Sequence, residues 1–210
     1  MNLTEMKAIV RRDLRDEDSQ NYRWTDDELE RHIARAVKEF SGAFPYEQKV
    51  VISTTVGSRE IDISSITERV SIEAVEYPAG NYPPIYQRFS QWGDILTLLS
   101  DEVPDGSNMY IYYGKLHTLD SSTSTVPAVN EDLVAAGACG FAAVEWAIYA
   151  VNRINTGGVN TPEEFLIWGR KKLSYFRREL RKLGTKNKVR INSLYRPYHL
   201  PVSQSTDFGP

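Results

Sequence analysis

Three histidines, one cysteine and one run of adjacent acids are the first residues of this chain to weigh for chemistry. His32, His117 and His199 fall in a predicted helix, a strand-exit loop and the C-terminal tail, and no pair has a metal-binding spacing such as H-E-x-x-H. No metal site or cofactor site is therefore expected. His32 sits among charged residues and is expected on the polar, solvent side of its helix. Cys139 lies in a stretch of alanines and glycines, where a thiol acts as a small hydrophobe; a nucleophile needs an accessible, electropositive setting. A lone cysteine forms no internal disulfide, which suits a reducing compartment. Asp26, Asp27 and Glu28 could attract a metal or nuclease reading, but they stand at a helix start, where acids cap free amides and complement the helix dipole. Nucleophile elbows, dinucleotide fingerprints and phosphate loops have no local signature, so no enzyme is expected. A nuclease whose carboxylates converge only in the fold is the rival that sequence leaves standing.

One charged stretch does stand out. From Arg170 to Arg190 bases alternate with Tyr175, Phe176 and Leu180, a pattern open to three meanings: a solvated helix face, a face for an acidic protein surface, or a track for phosphates. Charge divides along the chain. Residues 1–132 hold 13 basic and 23 acidic residues (net −10) and residues 133–210 hold 12 and 5 (net +7), within an overall −3. Opposite charge on two parts of one chain favours a head-to-tail partner, and an acidic pI near 5.7 speaks against DNA coating as the main task. Twelve tyrosines and four tryptophans suit interfaces.

The elements that position these residues begin with a short amphipathic helix built on Leu3, Met6, Ile9, Val10 and Leu14 and running out in the acidic Asp16-Glu17-Asp18. Thr25 and Glu28 then form a capping box, with Trp24 and Leu29 as the flanking staple, and a second helix follows over about 25–41. From Lys49 to Gly114 the period changes to two, and strands are expected around Val51–Thr55, Ile61–Ile63, Val70–Val75, Ile95–Leu99 and Met109–Tyr113, with a turn at Pro104-Asp105-Gly106. Ser121–Val126 reads as a polar connector. A third helix starts near Asn130 and runs past Ala150; its alanines and glycines invite close approach by another helix. Thr161 and Glu164 cap a fourth helix with Pro162 in its first position, ending at Gly184. Residues 185–210 lack helical period, hold three prolines and keep apolar anchors, which predicts an extended arm that orders on a partner. No stretch approaches a membrane span, and an N-terminus without an apolar core predicts a chain that stays in the cytoplasm.

The expected class is α+β: a bundle of about four helices with an inserted small antiparallel β-module and an extended C-terminal arm. The divisions are 1–45, N-terminal helices; 46–120, β-module; 121–184, C-terminal helices; and 185–210, arm.

That order of elements resembles the head-to-tail adaptors, or connectors, of tailed bacteriophages. Tyr22-Arg23-Trp24-Thr25-Asp26-Asp27-Glu28-Leu29 is similar to their W-[ST]-D-x-E-L entry to the second helix, and Tyr112–Val144, with its Tyr-Tyr strand end and Ala/Gly-rich helix, is similar too. The similar segments span about residues 1–183. The resemblance implies a structural virion protein at the head-tail junction: a ring, usually of twelve subunits, docked under the portal protein, contacting tail or further connector proteins, with double-stranded DNA passing through its lumen. The C-terminal segment would grip the portal. On this view Arg177, Arg178, Arg181 and Lys182 meet acidic surfaces, and Tyr195, Tyr198 and Leu200 anchor the arm. The alternatives are a DNA-binding protein that uses the basic fourth helix, and another virion role such as tail completion.

Overall fold

Two local caps start the bundle. The computed structural model describes residues 1–150 and 162–195. In α1 (Leu3–Leu14) the Asn2 side chain accepts from the Glu5 amide while the Glu5 carboxylate accepts from the Asn2 amide, and Arg15 closes the helix in the left-handed conformation at φ 56°. In α2 (Asp26–Ala43) Thr25 and Glu28 form the same reciprocal pair, at 3.3 and 2.7 Å. Leu29, Ile33, Val37 and Phe40 bury the stripe that their spacing implies.

A 3-10 turn (Ala128–Asn130) leads into α3 (Glu131–Ala150), which crosses α4 (Pro162–Leu194) along its small residues. A β-carbon on Gly137 would meet the Phe176 ring at 2.9 Å, and one on Gly169 would stand 3.1 Å from the Gly140 carbonyl. Glycine inside a helix costs about 1 kcal/mol relative to alanine, and the burial of Phe176 and Leu180 that this approach allows offsets it. The segment Ala128–Ala150 is in fact long and apolar enough to cross a membrane by composition, contrary to the sequence expectation. Most of it is buried among the other helices, where Val134, Ala138, Phe141 and Ala142 form the bundle core with Met6, Leu14, Trp24 and Phe40, while Val129, Ile148 and Tyr149 stay exposed.

The fourth helix differs from expectation at its end. It passes through Gly184 and continues to Leu194, so residues 185–194 are helical rather than arm. Packing supplies the reason. A β-carbon at Gly184 would rest 3.5 Å from the Ala43 carbonyl, Asn187 is buried, and Arg190 pairs with Glu47 and donates to Asn187 at 2.6 Å. The prolines used to argue against helix lie beyond Tyr195, outside the described residues.

The β-module contains β1 (Tyr46–Ser53), β2 (Glu60–Asp62), β3 (Arg69–Glu76), β4 (Phe89–Trp92), β5 (Ile95–Leu98) and β6 (Asn108–Lys115). They form two antiparallel three-stranded sheets, ordered β1-β6-β3 and β2-β5-β4. Ile61, Leu96 and Leu98 from one and Val75, Met109 and Ile111 from the other share a single buried cluster. Strand β4 was not expected. It pairs with β5 across Gly93-Asp94, where Gly93 at φ 59° supplies the positive angle a two-residue hairpin turn requires.

Candidate interaction surfaces

The residues singled out for chemistry are built into the scaffold. His32, expected at the surface, is 3% exposed; its Nε2 lies 3.7 Å from a Glu145 carboxylate oxygen, and burial pushes its pKa below the ordinary histidine value. The polar neighbours in sequence misled, because Arg31 and Arg35 stay largely exposed even where they pair with Glu145 and lie over Phe141 of α3, while the ring between them is covered. His117 is also buried, at the joint between bundle and β-module. Its Nε2 lies 3.0 Å from the Phe44 carbonyl at the end of α2, its Nδ1 lies 2.8 Å from the Thr125 carbonyl, and its amide donates to Ser41 at 2.8 Å. Burial lowers its pKa as well, against the two carbonyls that favour the charged ring. Burial pushes the Cys139 thiol up to about 12, which keeps it protonated at neutral pH. His199 lies outside the described residues. Among the described residues, no group of three or more His, Cys, Asp or Glu side chains is placed to hold a metal ion.

Asp26 has a role beyond the cap. Arg11, almost fully buried, donates to Asp16 at 2.7 Å, to Asp26 at 2.6 Å and to the Trp24 carbonyl at 3.1 Å, with the Tyr22 ring over its guanidinium. Asp16 also accepts from the Arg23 amide at 2.7 Å. The acidic loop is thus a fixed junction that sets where α2 begins. Hydrogen bonds from Arg11, then Lys7, hold the Asp26 carboxyl below the usual carboxylate range.

The predicted interface cations share the exposed side of α4 but differ in partners. Arg177 pairs with Glu39 on α2 at 3.3 Å; Arg178 and Lys182 both reach Glu179, at 3.2 and 2.9 Å; Arg181 donates to the Arg177 carbonyl at 3.3 Å. Arg170, Lys171, Lys186 and Lys188 are exposed, and with Arg181 they have no carboxylate at ion-pair distance among the described residues. Over Pro162–Leu194 the sequence carries 10 basic and 3 acidic residues. Tyr195 sits over the β-module with its ring 6.3 Å from Tyr86 in an edge-on arrangement. Tyr198 and Leu200 lie outside the described residues, as does Thr161; Glu164 stands in the first turn of α4.

Sequence reasoning missed a second surface, on the outward side of the β2-β5-β4 sheet. Partners in an antiparallel pair point to the same side, so Asp62, Ile95 and Trp92 form one row and Glu60, Thr97 and Ser90 the next. Trp92 is 90% exposed and Ile95 39%. The Arg69 guanidinium fixes the turn beside them: it donates to the carbonyls of Ile63, Ile66 and Gly93 at 3.2, 2.8 and 3.2 Å and pairs with Asp94. The Gly93-Asp94 pair between Trp92 and Ile95 was the available signal.

No curated protein matches the chain. The family model described as SU10 adaptor protein matches residues 1–186, which takes in the bundle as far as Lys186 and the β-module. A match over that share of 210 residues shows that the chain belongs to the SU10 adaptor protein family, a family of phage head-to-tail adaptors.

Proposed function

We propose that the chain is a structural virion protein that assembles as a ring, joins the capsid portal to the tail and continues the DNA channel. Family membership supports the adaptor role. The observation that carries the ring is the separation of charge onto different elements: α4 bears 10 basic and 3 acidic residues, whereas residues 46–120 bear 5 basic and 11 acidic ones. A closed ring of identical copies uses heterologous contacts, in which one face of a subunit meets a different face of its neighbour, and opposite charges on two faces satisfy that requirement. The partners are the portal protein, tail or further connector proteins and copies of the chain itself. Twelve is the expected number of copies, with double-stranded DNA passing through without base-specific contact. Arg177, Arg178, Arg181 and Lys182 belong to the basic interface, and Tyr195, Tyr198 and Leu200 to the portal contact.

Light scattering on the purified protein, with and without a phage portal and at moderate and high salt, tests this. A closed ring, alone or on the portal, is the expected result. A second reading has its own observation, the five α4 cations Arg170, Lys171, Arg181, Lys186 and Lys188 without carboxylate partners among the described residues, which suit DNA phosphates. A persistent monomer whose DNA affinity falls steeply with salt would establish that reading instead.

A further inference from the structure

The outward side of the β2-β5-β4 sheet has the composition of a docking surface. Contiguous exposed apolar area marks interaction sites, and here the 90% exposed Trp92 indole stands directly beside the exposed Ile95. Its turn is held by Arg69 through the Gly93 carbonyl and Asp94, and the same guanidinium ties it to the Ile63 and Ile66 carbonyls of the β2–β3 connection, so the indole is carried on a fixed support. Asp62 stands in the same row and Glu60 in the next, both exposed and neither with a cationic partner among the described residues. An indole beside two carboxylates fits a partner that brings cations together with some apolar surface, since guanidinium and ammonium groups pair with the acids and stack on the ring.

The outward side of α4 has that complementary composition. Arg170 and Arg181 stand 11 residues apart, about three turns, so they share one face, and Lys171 and Lys188 flank it. Ile167 and Val189, 47% and 63% exposed, supply apolar area on the same helix. Within one chain α4 reaches the other sheet, through Arg190 and Glu47.

We infer that the Trp92–Ile95–Asp62 face of one copy docks on the Arg170–Arg181 face of α4 of the next copy. This deepens the proposed ring, and rests on it, by naming the two unlike surfaces that meet.

The test uses two full-length variants, each broken on one side. Asp62→Ala with Trp92→Ala removes the sheet face and leaves α4 intact; Arg170→Glu with Arg181→Glu does the reverse. All four positions are exposed and the bonds given up are local, Ser64 amide to Asp62 and Arg181 to the Arg177 carbonyl, so thermal unfolding close to that of wild type shows that both variants fold. In low salt each variant alone should lose the wild-type oligomer, whereas their mixture has one competent junction and should give a one-to-one dimer that stops growing. The inference is overturned if either variant still assembles as wild type does, or if the mixture stays monomeric. It is equally overturned if the α4 variant keeps its oligomer but loses salt-sensitive DNA binding, which would assign the stripe to phosphates. Failure of the wild type to bind a portal, with the mixed dimer intact, would sink the adaptor reading and leave the contact standing.

Discussion

Gly140 of α3 and Leu173 of α4 approach so closely that a β-carbon on the glycine would stand 2.8 Å from Leu173 Cγ and 3.1 Å from its backbone nitrogen. Backbone cannot move aside as a side chain end can. Gly140→Ala is therefore expected to destabilise the protein by about 1–3 kcal/mol, even though alanine is the better helix former.

Gly184 makes the opposite prediction. Its nearest neighbour is the Ala43 carbonyl at 3.5 Å, ordinary contact distance, and the helix runs through it. Gly184→Ala should stabilise by up to about 1 kcal/mol. A loss of stability in denaturant titration would mean that the helix ends there in a left-handed cap, where alanine is strained.

Arg11→Met should cost on the order of 3–5 kcal/mol, because it leaves the buried Asp16 carboxylate without its cation. Thr25→Ala removes only an exposed cap and should cost about 1 kcal/mol. Chemical denaturation of both variants checks the ranking; equal losses would show that the Arg11 junction is no more than a surface contact.

Burial lowers the pKa of His32 from 6.5, so between the folded and unfolded values the unfolded chain binds more protons. That stability is present in full above pH 6.5 and is lost as pH falls through the folded value. His117 shifts in the same direction. The midpoint of urea unfolding should therefore drop from pH 7 to pH 5, less steeply in His32→Gln. Parallel curves for the two proteins would show that His32 is not the group responsible.

Deleting residues 196–210 should abolish binding to the portal, with thermal unfolding of the shortened chain as the control for folding. Co-sedimentation with portal particles reads this loss, and retained binding would remove the arm from the contact.

Sequence by itself determined what acts over three or four residues. The Thr25–Glu28 box, Pro162 in the first position of α4 and the 3.6-residue stripe from Leu29 to Phe40 are local requirements, because a helix end must satisfy its free amides whatever surrounds it. The small residues of α3 announced a close neighbour, and their spacing did not say which. Tertiary structure decided the rest. Whether Gly184 ends a helix depends on Ala43, about 140 residues away in sequence. Whether His32 is wet depends on α3 rather than on Arg31 beside it. One sheet pairs strands as distant as β1 and β6, and in the other the pairing of β2, β5 and β4 places Asp62, Ile95 and Trp92 in one row, where three segments unremarkable in sequence become a single surface. Side-chain burial and charge partners are properties of what folds back against a residue, and composition along the chain carries no record of that distance.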